Sequence, residues 1–236
     1  MCRPGTIGIL GGMGPFATAA FYRKILEMTP ARKDWEHIRT IIDSNPHIPS
    51  RSRHVLYGEE SPVAGMIDSC NRLANYPVDF IVIPCNSACY FLDQVQPHVS
   101  IPILNIMQVT VASLAGKLPV GAAVAVCGSA VTYRHRTYER FLLESGFTFV
   151  SHDQRCQDEI EGLIERIKTD DITEECSRTF KSVVDHLQMT LGADAIILGC
   201  TEFGSLPEIS STVPLIDSSY ELARYTVEYA LSCCQI

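Results

Sequence analysis

The sequence lacks an excess of basic charge. Its 236 residues carry 19 Lys and Arg against 27 Asp and Glu, a formal net charge of −8, and only 19% of positions are charged. Such a chain has no basic surface to draw in a phosphate backbone, which argues against nucleic-acid binding. It also lacks any apolar run near the roughly 20 residues that span a bilayer. The opening segment Met1–Gly12 has too short and too glycine-broken an apolar stretch for a secretion signal. A soluble, cytoplasmic protein with no membrane partner is expected. Paired cysteine spacings are missing as well. Of ten cysteines, Cys85 and Cys89 form one close pair and Cys233 and Cys234 another, and neither has a partner pair. That pattern points away from a zinc site, and the length points away from a disulfide scaffold. Most of the thiols are expected to be small buried hydrophobes in a reducing compartment.

What is present is an internal echo. Asp79-Phe-Ile-Val-Ile-Pro-Cys85-Asn-Ser87 is answered by Asp194-Ala-Ile-Ile-Leu-Gly-Cys200-Thr-Glu202. Downstream, Ile101-Pro-Ile-Leu-Asn105 is answered by Val213-Pro-Leu-Ile-Asp217. Each phrase with a cysteine reads as a buried strand that delivers a thiol and a small hydroxyl to one edge of a sheet. Two related halves facing each other across a cleft suit a reaction that needs similar groups on opposite sides of one carbon.

Short β-branched or apolar runs alternate with longer helical patterns, the signature of parallel βαβ units. Strands are predicted at 6–10, 38–43, 80–83, 103–106, 122–127, 147–151, 195–198 and 215–217. Helices are predicted at 15–27, 61–76, 133–145, 159–168, 173–191 and 219–232. The expected fold is α/β: two pseudo-symmetric open lobes, each a mainly parallel four-stranded sheet flanked by helices, with the active site in the cleft between them. Residues 1–105 with 214–236 form the first lobe and 106–213 the second. Sites in such sheets lie at strand carboxyl ends. That rule selects Gly11–Gly14, Asp43–Arg53, Cys85–Cys89, Cys127–Thr132 and Cys200–Glu202.

The glycine loop Gly11-Gly-Met-Gly-Pro15 contains Gly12-x-Gly14-x-x-Ala17, a weak match to a dinucleotide fingerprint with Asp43 as its acidic partner. Pro15 removes an amide such a loop would use, and a tight turn, a backbone approach to another ligand or an amino-acid carboxylate at the helix start are the other readings. The segment from Asp43 to Arg53 reads as a loop with two prolines, whose Arg51 and Arg53 can clamp a carboxylate or simply face solvent. Cys85 and Cys200 each sit at a strand-to-helix turn, where unpaired N–H groups favour the thiolate; alone, either reads as a buried structural cysteine. Occurring at equivalent points of a repeat, they read as a functional pair. Ser129 and Thr132 can bind a ligand or cap a helix. Lys168 reads as a carboxylate ligand or an ordinary cation at a helix end, and Glu202 as an orienting group or a helix-start carboxylate.

Taken in order, Ile9-Leu-Gly-Gly-Met-Gly-Pro15, Asn45-Pro-His-Ile-Pro-Ser-Arg51, Ile83-Pro-Cys-Asn-Ser87 and Leu198-Gly-Cys-Thr-Glu202 resemble the Asp/Glu racemase superfamily, in particular its cofactor-independent aspartate racemases. The resemblance covers the whole chain. It implies a homodimer of two-lobed subunits working without pyridoxal phosphate or metal. It also implies two-base racemisation of an acidic amino acid, aspartate first and glutamate second, with Cys85 and Cys200 as the acid and base. Met13, Asn86, Ser87, Ser129 and Thr201 match substrate contacts, Arg51 and Lys168 match positions facing the side-chain carboxylate, and Glu202 is a possible orienting or relay group. The family usually has Thr at Ser87 and His at Cys89, so the first thiol has unusual surroundings. Cysteate racemisation, hydantoin racemisation, maleate isomerisation and a non-catalytic ligand-binding module are the alternatives.

Overall fold

Apolar runs buried at every position, Ile7–Gly11 and Ala195–Gly199, form the spine of two sheets. Strands of this kind are covered on both faces by helices. The computed structural model describes residues 3–169, 171–207 and 209–233. The first half contains β1 (Ile7–Gly11), α1 (Pro15–Met28), β2 (Thr40–Ser44), α2 (Arg51–Tyr57), α3 (Val63–Ala74), β3 (Phe80–Val82), α4 (Asn86–Cys89), α5 (Leu92–Val95), β4 (Ile103–Leu104) and α6 (Ile106–Ala112). The second contains β5 (Ala123–Gly128), α7 (Ala130–Arg134), α8 (Glu139–Glu144), β6 (Thr148–Val150), α9 (Gln154–Lys168), α10 (Glu174–Asp185), β7 (Ala195–Gly199) and β8 (Leu215–Asp217), and α11 (Ser218–Ser232) is the last helix among the described residues.

The two sheets have the same order. One runs β2-β1-β3-β4 and the other β6-β5-β7-β8, and every pairing is parallel. β3 therefore corresponds to β7, the strands that precede Cys85 and Cys200. The echoed aspartates have a structural job in this repeat. Thr6 N–H donates to Asp79 Oδ2 at 2.6 Å while Asp79 N–H donates back to Thr6 O at 2.9 Å. In the second sheet Ala123 N–H donates to Asp194 Oδ2 at 2.8 Å and Asp194 N–H returns to Ala123 O at 2.7 Å. Each aspartate thus pins the start of a cysteine-bearing strand to the central strand beside it. Asp79→Ala leaves the buried Thr6 amide without its acceptor, so a loss of about 1–3 kcal/mol is expected. Urea unfolding measures it, and an unchanged midpoint would show that the side-chain bond contributes nothing net.

Contacts divide the chain into two units, Met1–Val109 with Ser219–Ile236, and Thr110–Ser218. In the first, Tyr229 of α11 meets Phe80 edge-on at 4.8 Å and Gly5 N–H donates to Ala230 O. In the second, α9, α10 and the strands share a core that includes Ile160, Leu163, Phe180, Val184, Ile196 and Phe203.

Several expected elements are redrawn. Residues 215–217 pair with β7, so the second sheet runs to Asp217 and not to residue 213. The segment taken as loop through Arg53 instead starts α2 at Arg51, with Ser50 Oγ accepting the Arg53 amide and Gly58 at φ 67° closing the helix. The single helix expected over 133–145 is two, α7 and α8, broken where Arg136 takes φ 45°. The helix expected to start at 159 begins at Gln154, because Asp153 caps it through the Cys156 amide at 2.9 Å. Ile106, expected at a strand end, opens α6.

Candidate active site

In the first unit, β3 ends at Val82 and Cys85 stays extended at φ −154° before α4 turns. Cys85 is 8% exposed and Asn86 2%, with Ser87 at the next position. Because α4 has four residues, it supplies little macrodipole, and the helix-terminus argument for a thiolate reduces to the amides of this one turn. Cys89 is no substitute for an imidazole. Its Sγ lies 3.7 Å from the Ile83 carbonyl, and burial pushes the thiol up to about 12. Burial thus favours its neutral thiol form.

The glycine loop is explained by close packing. A Cβ on Gly11 would meet Thr18 Cγ2 at 2.2 Å, and one on Gly12, at φ 87°, would lie 2.4 Å from the backbone of Asn45. Gly12 N–H donates to Thr18 Oγ1 at 2.9 Å, and that hydroxyl donates to Gly14 O at 2.8 Å. The Gly12 amide serves the turn, with Pro15 at the helix start. Of the readings open for the loop, a tight turn is the one these contacts support.

Arg51 bridges this loop and the 48–50 turn. Its Nη2 donates to Met13 O at 3.0 Å, and its Nη1 to Pro49 O at 3.3 Å and Ile48 O at 3.5 Å. Met13 and Arg51, each expected to contact substrate, are thus hydrogen-bonded to each other. The Nε–H of Arg51 is buried and has no hydrogen-bond partner among the described residues. Arg53 is occupied elsewhere. It pairs with Glu59 on the surface, Nε to Oε2 at 2.7 Å, with a second contact from Nη2 to Oε1. The carboxylate-clamp reading therefore narrows to Arg51.

In the second unit Cys200 follows β7 in an extended conformation and is 8% exposed. Its Sγ donates to Glu202 Oε2 at 2.9 Å, and Thr201 Oγ1 donates to the same oxygen at 3.2 Å. The structure thus brings Cys200, Thr201 and Glu202 together around one buried carboxylate. Phe203, next in the chain, stacks on Phe180 of α10 at 5.3 Å and anchors the turn. Ser129 is buried at the start of α7, and Thr132 is 3% exposed one turn on. Lys168 is the exposed last residue of α9. Among the described residues no group of three or more His, Cys, Asp or Glu is placed to hold a metal ion, and no helix is long and apolar enough to cross a membrane. The eight described cysteines are free; Cys2 and Cys234 lie outside the described residues.

One group of residues at this edge escaped the sequence reading. Gln157 lies on the buried stripe of α9 with Ile160 and Ile164 and bonds to the Gly128 carbonyl and to His152. The available signal was a glutamine at an apolar position of an amphipathic helix.

Comparison with known proteins places these turns in a family. The profile of the Asp/Glu/hydantoin racemases matches residues 10–226. The chain is 30% identical over 231 residues to the broad specificity amino-acid racemase RacX of Bacillus subtilis, covering 96% of this chain and 98% of that protein. Among solved structures, Picrophilus torridus aspartate racemase superposes with a TM-score of 0.83 at 28% identity, over 96% of this chain and 94% of that one. An aspartate racemase homologue from Pyrococcus horikoshii shares the fold, with a TM-score of 0.77 at 21% identity over 98% of this chain and 100% of that one. A match that runs from the glycine loop through both cysteine turns into the last helix leaves one assignment: the chain belongs to the Asp/Glu/hydantoin racemase family.

Proposed function

We propose that this racemase interconverts the enantiomers of an acidic amino acid, aspartate first, by a two-base mechanism using Cys85 and Cys200. The observation that carries the mechanism is the placement of the two thiols after corresponding strands of two identically ordered sheets. One sulfur as thiolate removes the α-proton and becomes a thiol. The other, as thiol, delivers its proton to the opposite face and becomes the thiolate. The Cα–H is weakly acidic, so donors must stabilise the charge that builds on the α-carboxylate as the proton leaves. Asn86, Ser87, Ser129 and Thr201 are assigned to the amino and carboxylate groups. Glu202 holds the proton of Cys200 in the resting state, since the S–H points at its oxygen. A carboxylate there can relay a proton from solvent to that sulfur, returning Cys200 to its thiol after it has protonated Cα.

The acidic side chain is assigned from Arg51. A buried guanidinium N–H without a partner is costly, and a carboxylate is the natural group to satisfy it. Lys168 is assigned to the same carboxylate. A wider substrate range is the second reading, favoured by the likeness to RacX. A homodimer in the cytoplasm completes the proposal, which calls on no cofactor at any step.

The test is incubation of L-aspartate, L-glutamate, L-cysteate and neutral L-amino acids with the protein in D2O, without added cofactor. D-Aspartate carrying deuterium at Cα is expected, formed faster than any neutral product. D-Aspartate that retains the original α-hydrogen would eliminate the two-base route, and equal rates across the panel would favour the broad reading.

A further inference from the structure

Thr18 and Thr132 occupy corresponding places in the two units, and they differ in one respect. Each packs its methyl against the glycine that ends a central strand: a Cβ on Gly128 would meet Thr132 Cγ2 at 2.6 Å, as one on Gly11 meets Thr18 Cγ2 at 2.2 Å. Thr18 spends its hydroxyl locally, donating to Gly14 O four residues back. For Thr132 the carbonyl four residues back is that of Gly128, and it accepts instead from Gln157 Nε2 at 3.1 Å. Thr132 Oγ1 is buried and has no hydrogen-bond partner among the described residues.

Gln157 is held from every side. It is 1% exposed, and its Nε2 donates to Gly128 O and to Glu161 Oε1 at 3.0 Å, which uses both amide hydrogens. The amide oxygen lies 3.0 Å from His152 Nε2 and can only accept, so His152 must be the Nε2–H tautomer. The His152 ring stacks on Tyr133 of α7 at 5.0 Å, one residue from Thr132. A closed circuit runs from the end of β5 through α7 and His152 into α9 and back to Gly128.

We propose that Gln157 is a positioning residue for racemisation: by occupying the Gly128 carbonyl it holds the turn that carries Ser129 and leaves the Thr132 hydroxyl uncommitted for a substrate oxygen. This rests on the racemase reading and extends it to two side chains outside the cysteine turns. Without Gln157, Thr132 bonds back to Gly128 O as Thr18 does to Gly14 O, and the donor is lost to the substrate.

A double-mutant cycle with Gln157→Met and Thr132→Val tests this, because the two changes act on one hydrogen bond. Each single variant is expected to lower kcat/KM about ten-fold or more, and the double variant to be no worse than Gln157→Met alone. Gln157→Glu, which keeps an acceptor for His152 but loses the donor to Gly128, is expected to behave like Gln157→Met. Nitrogen NMR of the wild type is expected to report the Nε2–H tautomer of His152. Near-normal kinetics in folded Gln157 variants, fully additive losses, or an Nδ1–H tautomer would overturn the inference while leaving the racemase intact. A wild type that racemises no amino acid would sink both, and Thr132→Val, nearly isosteric, keeps the test sharp if Gln157→Met unfolds.

Discussion

Cys85→Ser and Cys200→Ser are each expected to lower racemisation by roughly two to four orders of magnitude, the range for removing a positioned acid or base. Serine preserves the shape, but its hydroxyl is far less acidic than a thiol and does not exchange its proton near neutral pH. The two variants are expected to fail in mirror-image fashion. A protein that keeps one thiolate can still remove the α-proton from the enantiomer that presents it, and can return solvent deuterium to the same face. Cys200→Ser should therefore wash out the α-hydrogen of one enantiomer, and Cys85→Ser that of the other, with little inversion by either. Deuterium exchange into separate L- and D-aspartate samples measures this. If both variants exchange the same enantiomer, the assignment of one thiol to each face is wrong. If either retains near-normal turnover, that cysteine leaves the mechanism.

The local surroundings add a difference between the two sites. Cys200 donates to Glu202, whereas Cys89, beside the other turn, is a protonated thiol directed at a backbone carbonyl. Glu202→Gln is expected to slow turnover less than Cys200→Ser, because the thiol remains while its proton acceptor is weakened. Initial rates from the two enantiomers would show it, and a loss equal to that of Cys200→Ser would make Glu202 as essential as the thiol.

The repeat was legible because it is written in strand residues. Asp79 and Asp194 recur with their cysteines since each makes the same reciprocal bond to a central strand, and an echo in such residues is an echo in topology. The helix at Arg51 was hidden for a different reason. Pro46 and Pro49 signal a loop, and a seven-residue helix is too short to display a period, although its Ser50 cap and Gly58 terminus are both in the sequence. The break at Arg136 has no such marker, since the left-handed residue that closes α7, with the Thr137 amide bonded back to Thr132 O, is an arginine and not the glycine or asparagine usual there. Gln157 was invisible because its function lies in which carbonyl it takes from Thr132, a competition between α9 and α7 that linear spacing does not encode.

Arg51 presents two roles that a single substitution can separate. It staples the glycine loop through the Met13 carbonyl, and it holds a buried Nε–H without a partner. If the second role serves the substrate's side-chain carboxylate, Arg51→Leu should lower kcat/KM for aspartate by about 100-fold, the scale of a lost charge-assisted hydrogen bond. Alanine, which has no such carboxylate, should lose much less. Arg51→Lys keeps the charge but not the planar fork, and can bond the loop or the substrate but not both in the same geometry. It is expected to fall between the wild type and Arg51→Leu for aspartate. The ratio of aspartate to alanine turnover is therefore the decisive quantity. A staple whose loss only loosens the glycine loop would depress both substrates alike, and an unchanged ratio would strip Arg51 of any part in choosing an acidic side chain.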